Sequence, residues 1–543
     1  MNSNIQDYID LVRSGKIEVC KDQLLLCDMV ERVFSTEDIY VDEEQLNKYL
    51  NQQKYFPFQL YEWERFCFAL HNCTYKANGL LRFPDLLILV GRGAGKNGYL
   101  SFEDFCLLTP INGIKQYHID ICANSEDQAR TSFDDIYNIL EDQKAYFKKY
   151  FRWNKEKIQN IKTGSVLRFR TSNFKTKDGG RPGKVDFDEY HQYESYKTIE
   201  VFQTGLGKKR HPRTTITTTN GDVRDGPLDH LIDRAEQVLN GEPDNGLLPF
   251  ICRLDDPNEV HNPRMWDKAN PSLHYNPTLQ EQIQKEYAEY LMDNIGHSAF
   301  MTKRMDSPQG DKDADVTSWE NIKATNRPLI DLRGRSCVAG IDYASTTDFV
   351  AVGLLFIVDG LHYWITHTWV CRQCKDLSRI KFPLEEAAQR GLLTWVDDVE
   401  ISPDIPAEWL QDQAAFYDIR GVAIDKFRYT LLSKSLRAVG FDAEKKGLRG
   451  IKLVRPSDEM MISPTITSLF ANHSFIWGDN PLMRWYTNNS KVIQSPAGNI
   501  TYGKKEAKSR KTDGFKGLVA AEIISDRLVG TEIPNIDLGV YTY

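Results

Sequence analysis

Two sets of residues in this 543-residue sequence have the types and spacing to do chemistry on phosphate. The first is Gly91-Arg92-Gly93-Ala94-Gly95-Lys96-Asn97, which follows the apolar run of residues 85–90 and precedes a helix-compatible stretch. Glycines in a strand-to-helix turn let backbone N–H groups converge on phosphate, and Lys96 supplies positive charge for the β- and γ-phosphates. The usual pattern has a glycine where Val90 stands and a Mg²⁺-binding Ser or Thr where Asn97 stands. Alone, such a loop is often only a turn. A partner signal lies at Asp188-Glu189, at the end of a strand-like run over residues 184–187. In P-loop ATPases such an Asp holds the Mg²⁺ shell and the adjacent Glu polarises the attacking water. The two signals, in the right order and both at strand ends, point to ATP hydrolysis. The β-branched run of residues 214–219, ending at Asn220, is a candidate γ-phosphate sensor beside the loop.

The second set is three aspartates. Asp342 and Asp425 each close an apolar strand, and Asp513 begins a helix whose Phe515, Leu518, Val519 and Ile523 form one stripe. They lie 83 and 88 residues apart, so only a fold can bring them together. Clustered carboxylates suit hard Mg²⁺ or Mn²⁺ ions, and two such ions would clamp both oxygens in phosphodiester hydrolysis. The bland alternative is three unrelated strand-end and helix-start acids, the last favouring a helix dipole.

Positioning these residues requires an α/β chain of two domains. Strand patterns at residues 85–90, 117–122, 165–169, 184–187 and 214–219 alternate with helix-compatible stretches, as a mainly parallel sheet does. Residues 301–335 read as a polar linker, and further strands are expected at 336–342, 350–357, 363–369, 421–424 and 450–453. The expected division is an N-terminal helical segment over 1–75, an ATPase domain over 76–300, the linker, and a nuclease domain over 336–543. The 68 Lys and Arg against 76 Asp and Glu give a net charge of −8, which argues against coating nucleic acid by overall charge. No apolar run reaches bilayer length, and residues 1–16 are too polar for a secretory signal. Ten scattered cysteines then suit a reducing cytosol.

Taken together the motifs resemble the large terminase subunit of tailed bacteriophages, in order and over nearly the whole chain. Phe56-Pro57-Phe58-Gln59 resembles the family's adenine-recognition segment, with Gln59 as reader of the base. Residues 91–96 resemble its deviant Walker A loop, whose early arginine is Arg92. Residues 123–130 resemble the segment after its second strand. Asp178-Gly179 with Asp188, Glu189, Tyr190 and His191 resembles its Walker B region, and residues 217–220 its coupling motif. The segment 340–348 resembles the first strand of its RNase H-like nuclease, with Asp342, Asp425 and Asp513 as the acids and Asp348 as a possible fourth.

The resemblance implies an N-terminal ASCE/RecA-like P-loop domain and a C-terminal RNase H-like domain with a mixed sheet. ATP would bind at Gln59, Arg92, Gly93, Gly95, Lys96, Asn97 and Asp188, with Glu189 catalytic. Mg²⁺ is the implied ion, and Mn²⁺ can substitute in the nuclease. Implied partners are double-stranded viral DNA, a portal protein, a small terminase subunit and copies of the chain in a pentameric ring, with no membrane. The implied location is the host bacterial cytoplasm, transiently at the procapsid portal vertex. Lys504, Lys505, Lys508, Arg510 and Lys511, just before Asp513, are the expected DNA contacts. Cys371 and Cys374 with nearby His362 and His367 are expected to be ordinary side chains, because four ligands along one strand suit zinc poorly. The rival functions are a helicase-like or repair ATPase fused to a nuclease, and a non-catalytic scaffold with a degenerate nucleotide loop.

Overall fold

The structure is a computed structural model; it describes residues 1–171, 181–193, 196–221, 223–293, 297–308, 315–344, 349–380, 382–425, 429–442, 449–494, 500–506 and 509–528. The chain forms two compact units, Met1–Gln309 and Gly310–Tyr543. No helix among the described residues is long and apolar enough to cross a membrane.

The first unit is built on an eight-stranded sheet. Its order is Leu247–Ile251, Asp85–Leu89, Arg213–Thr218, Pro182–Phe187, His118–Ala123 and Val166–Thr171, then Ile158–Asn160 and Phe151–Trp153. The first six strands pair in parallel, and the last two extend the edge antiparallel. Asp85–Leu89, near the middle, is buried beyond its first residue, which is why it reads as an unbroken apolar run. The helices Ser3–Arg13, Lys21–Thr36, Glu43–Leu50 and Glu62–Cys73 belong to the same unit. Ser3–Arg13 buries Ile5, Tyr8, Ile9 and Val12, the spacing of one helical face, and Tyr8 packs on Phe66 and Phe250. The first 75 residues therefore share the core of the sheet.

In the second unit the strands run in the order Leu393–Val396, Leu361–Cys371, Val350–Val358, Ser336–Asp342, Asp418–Ile424 and Gly450–Leu453, with Phe475–Ile476 beside Leu361–Cys371. The pairings among Ser336–Asp342, Val350–Val358 and Leu361–Cys371 are antiparallel and the others parallel, so the sheet is mixed. The central hairpin turns through Asp359 and Gly360, both with positive φ, a two-residue loop whose twist matches the strands.

The stretch expected as a linker is folded at both ends. Ala299–Arg304 is helical within the first unit, with Met301, Met305 and Asp306 buried, and Trp319–Lys323 is helical in the second. Its high charge conceals apolar anchors spaced too far apart to make a sequence pattern.

Candidate active sites

The glycine-rich loop leaves Asp85–Leu89 at its carboxyl end and enters the helix Lys96–Leu108. Gly95 has φ +112°, and a Cβ there would lie 2.8 Å from Glu64 Oε1, so both backbone and space require glycine. Lys96 is buried, and its ammonium donates to Val90 O at 3.0 Å. Burial lowers the pKa of Lys96, against the opposing fields of Asp306, Glu189 and Asp188. Asn97 follows, half-buried in the first helical turn, while Arg92 is exposed at the head of the loop beside exposed Gly93. Phe56 packs with Phe102 and Phe105, and the Phe58 ring lies against Gly98, so exposed Gln59 sits beside the start of this helix.

The Asp188-Glu189 pair stands one strand away, across Arg213–Thr218. Asp188 Oδ1 accepts from Thr217 Oγ1 at 2.7 Å and from the Glu189 amide at 2.9 Å. Burial raises Asp188 to about 6 despite the Thr217 bond. Glu189 takes a left-handed backbone, φ +50°, turning its carboxylate off the strand line toward His191, whose Nδ1 lies 3.2 Å from Glu189 Oε2. Burial, Lys303, Lys96 and Arg92 push His191 down to about 3, so the ring is neutral. Lys303 Nζ lies 2.7 Å from His191 Nε2 and donates to Asn220 O at 3.2 Å. With Nε2 accepting from an ammonium, the ring proton resides on Nδ1, facing Glu189 and Thr218.

Two further features of this site carry no sequence signal. Asp306 is buried, and its Oδ1 accepts the Asn220 amide at 2.7 Å. Burial raises it to about 8, against the pull of Lys96. Beneath the loop, Lys184 is fully buried among Asp104, Asp186 and Glu103, at 2.6, 2.6 and 2.8 Å. Burial raises Asp104 to about 6, whereas Lys184 and His71 overcome burial at Glu103 and hold it near 2. Glu103 and Asp104 belong to the helix after the loop, while Lys184 and Asp186 share the strand face that ends at Asp188. The cluster therefore ties the two nucleotide motifs together from below. Asp178 and Gly179 lie outside the described residues.

The acids of the second unit are placed by its sheet. Ser336–Asp342 and Asp418–Ile424 are parallel neighbours with Ile341 opposite Ile424, so Asp342 and Asp425 emerge side by side at the strand ends. Asp513 opens the helix Asp513–Glu522, which packs on the same sheet. That approach is backbone to backbone: a Cβ on Gly340 would lie 1.9 Å from Gly517 O. Gly514 is equally constrained by the Tyr486 ring. Burial raises the Asp342 carboxyl well above its ordinary value, Asp513 and Asp425 raise it further, and Lys516 and Lys504 oppose them. The donor set is all carboxylate oxygen, which fits a hard divalent ion. No group of three His, Cys, Asp or Glu among the described residues is already arranged around one ion position. Asp348 lies outside the described residues.

Within the basic run before Asp513 the chain turns Lys511 inward, which removes that one residue from the expected DNA contacts. Lys511 is 1 % exposed, with its Nζ 3.3 Å from Asp376 Oδ2. Lys505 pairs with Asp315 at 2.5 Å, and Arg510 donates to Asn489 Oδ1 at 3.3 Å. The chain turns inward to start the helix, which buries Lys511. Lys508 lies outside the described residues. The lysines whose fields reach Asp342 are Lys504 and, one turn along the helix from Asp513, Lys516, which also binds Glu459 at 2.7 Å. The remaining candidates are engaged elsewhere: His362 with Glu522, His367 with Thr394, and the Cys371 thiol with Asp398 O.

Comparison with known proteins gives these sites a family. The model "Terminase large subunit, ATPase domain" matches residues 62–237, and "Terminase large subunit, endonuclease domain" matches residues 243–402, starting inside the first compact unit. The terminase large subunit of Lactococcus phage p2 is 24 % identical over 438 residues, covering 78 % of this chain and 79 % of that protein. Protein YmfN of Escherichia coli (strain K12) is 24 % identical over 367 residues, 63 % of this chain and 77 % of that protein. The crystal structure of the HK97 bacteriophage large terminase superposes with a TM-score of 0.48 at 16 % identity, covering 89 % of this chain and 100 % of that one. Both catalytic halves of one enzyme are thus matched in sequence order, and the chain belongs to the terminase large subunit family, with ATPase and endonuclease activity.

Proposed function

We propose that the first unit hydrolyses ATP at Lys96, Asp188 and Glu189, and that this drives double-stranded viral DNA into a procapsid. Lys96 would neutralise the β- and γ-phosphates, with Arg92 adding charge at the loop head and Gln59 reading the base beside the following helix. Gly93, Gly95 and Asn97 line the phosphate path. Asp188, held by Thr217, would fix the water shell of Mg²⁺. Glu189 would orient the attacking water, and neutral His191 keeps its Nδ1 proton near that carboxylate. The single observation that carries this reading is the convergence of Lys96, Asp188 and Glu189 at the carboxyl ends of two strands of one sheet, with Thr217 of the strand between them bonded to Asp188.

The second unit would cut concatemeric DNA at Asp342, Asp425 and Asp513. Divalent ions held there, Mg²⁺ or Mn²⁺, would polarise the phosphodiester and activate water. Lys504 and Lys516 would meet the approaching phosphates. The working enzyme would be a pentameric ring on the portal vertex in the host cytoplasm, guided by a small terminase subunit.

ATPase and plasmid-cleavage assays on full-length variants test the reading. Glu189→Gln should lower ATP turnover about 10²- to 10⁴-fold while leaving cleavage intact. Asp342→Ala should abolish Mg²⁺- and Mn²⁺-dependent cleavage while leaving ATP turnover intact. Undiminished turnover in the first variant, or undiminished cleavage in the second, would reject the corresponding site.

A further inference from the structure

The glycine-rich loop is strapped down by a segment far along the chain. The Gly91 amide donates to Ala269 O at 2.8 Å and the Arg92 amide to Lys303 O at 2.7 Å. In return Arg304 Nη1 donates to Arg92 O at 2.5 Å, and Ser272 Oγ to Ala94 O at 2.6 Å. Asp306 follows the strap directly. Its φ of +48° is unusual for a residue with a side chain, and its Oδ2 is buried with no hydrogen-bond partner among the described residues. Its Oδ1 is engaged by the amide of Asn220, the last residue of the β-branched sensor run.

A strained, buried carboxylate with one orphaned oxygen costs stability, which calls for a functional reason. Among charged groups, Lys96 has the largest attractive effect on Asp306, and Glu189 opposes it. Asp306 thus holds an unpaired carboxyl oxygen in the field of the ammonium that the γ-phosphate would need, ionised above about pH 8, while its other oxygen holds an amide of the segment that would sense that phosphate. We propose that Asp306 is a positioning residue that competes with the terminal phosphate of ATP for Lys96 and for the Asn220 amide. When that phosphate binds, Asp306 gives way, and the strap carrying Lys303 and Arg304 shifts against Arg92. ADP, lacking the third phosphate, does not displace it. The inference rests on the proposed ATP site.

Asp306→Asn keeps an oxygen for the Asn220 amide and removes the charge. In the full-length chain at pH 9, where the wild-type carboxyl is ionised, equilibrium binding of ADP and of a non-hydrolysable ATP analogue should show the ATP-to-ADP affinity ratio rising by about five-fold or more. Asp306→Glu, which keeps the charge, should leave that ratio at or below the wild-type value. A purely structural role would weaken both nucleotides together. If Asp306→Asn does not fold, Asp306→Ser is read in its place. An unchanged or lowered ratio in the neutral variant, or an equal rise in the Asn and Glu variants, overturns the proposal. Lys96→Ala separates the two levels: it should lose ATP and ADP alike, and wild-type binding there would reject the ATP site itself and the competition with it.

Discussion

In the first unit, the buried acids Glu103, Asp104 and Asp186 surround the ammonium of Lys184, and Asp188 is held by a threonine hydroxyl and an amide. In the second, Asp342 is raised by burial and then further by Asp513 and Asp425, with lysines acting on it only as a counterweight. One site is neutralised largely from within the chain, while the other concentrates like charge in a way that external cations would relieve. The difference teaches how each site meets its substrate. Nucleotide chemistry needs a rigid loop that stays formed through every turnover. Cutting needs a site that pulls in metal and can be left unfilled between cuts.

Removing charge from each site should therefore move stability in opposite directions. Lys184→Met leaves three carboxylates buried without their cation, so a loss of about 3–5 kcal/mol is expected, seen as early melting of the ATPase unit or failure to fold. Melting at the wild-type temperature would break the contrast. In the second unit, Asp342→Asn should raise the thermal midpoint in chelator by a few degrees, about 1 kcal/mol of relieved repulsion, and reduce the stabilisation that Mg²⁺ gives wild type. A fall in chelator would show that the acids do not repel one another.

The smallest effect concerns Glu64, which lies against Gly95. Burial raises its carboxyl from 4.5 to about 8. Between those values the unfolded chain releases a proton that the native chain keeps, so this group makes stability fall as pH rises. Glu64→Gln should remove that slope, with a gain in midpoint that is near zero below about pH 4 and reaches a few degrees at pH 8. A gain larger at pH 5 would reverse the sign and discard the assignment.

How much of this was legible in the sequence follows from the kind of signal each residue gives. The strand bearing the glycine loop and the strands ending at Asp342 and Asp425 could be read because burial on both faces makes unbroken apolar runs. The Leu247–Ile251 strand, equally buried, gives a weaker signal because its five residues include a proline. Asp306 was hidden by the polar run that follows it, since a buried carboxylate looks the same as an exposed one in sequence. Lys184 suggested nothing, because its three acids come from two separate elements. Within the basic run near Asp513 a charge pattern says nothing about direction, and Lys511 points inward to Asp376. The acids themselves could be named from the sequence, whereas Lys516, the lysine with the larger effect on Asp342, could not be singled out.

The seam between Gly340 and the helix of Asp513 has a genetic consequence. A side chain at Gly340 would strike the Gly517 carbonyl, and at Gly517 there is no side chain to trim in compensation. A damaging substitution at Gly340 should therefore have no second-site suppressor on the facing helix, and revertants should restore glycine itself. The separation of the first and third acids would be among the least adjustable lengths in the protein, fixed by two residues that contribute no atom to the chemistry.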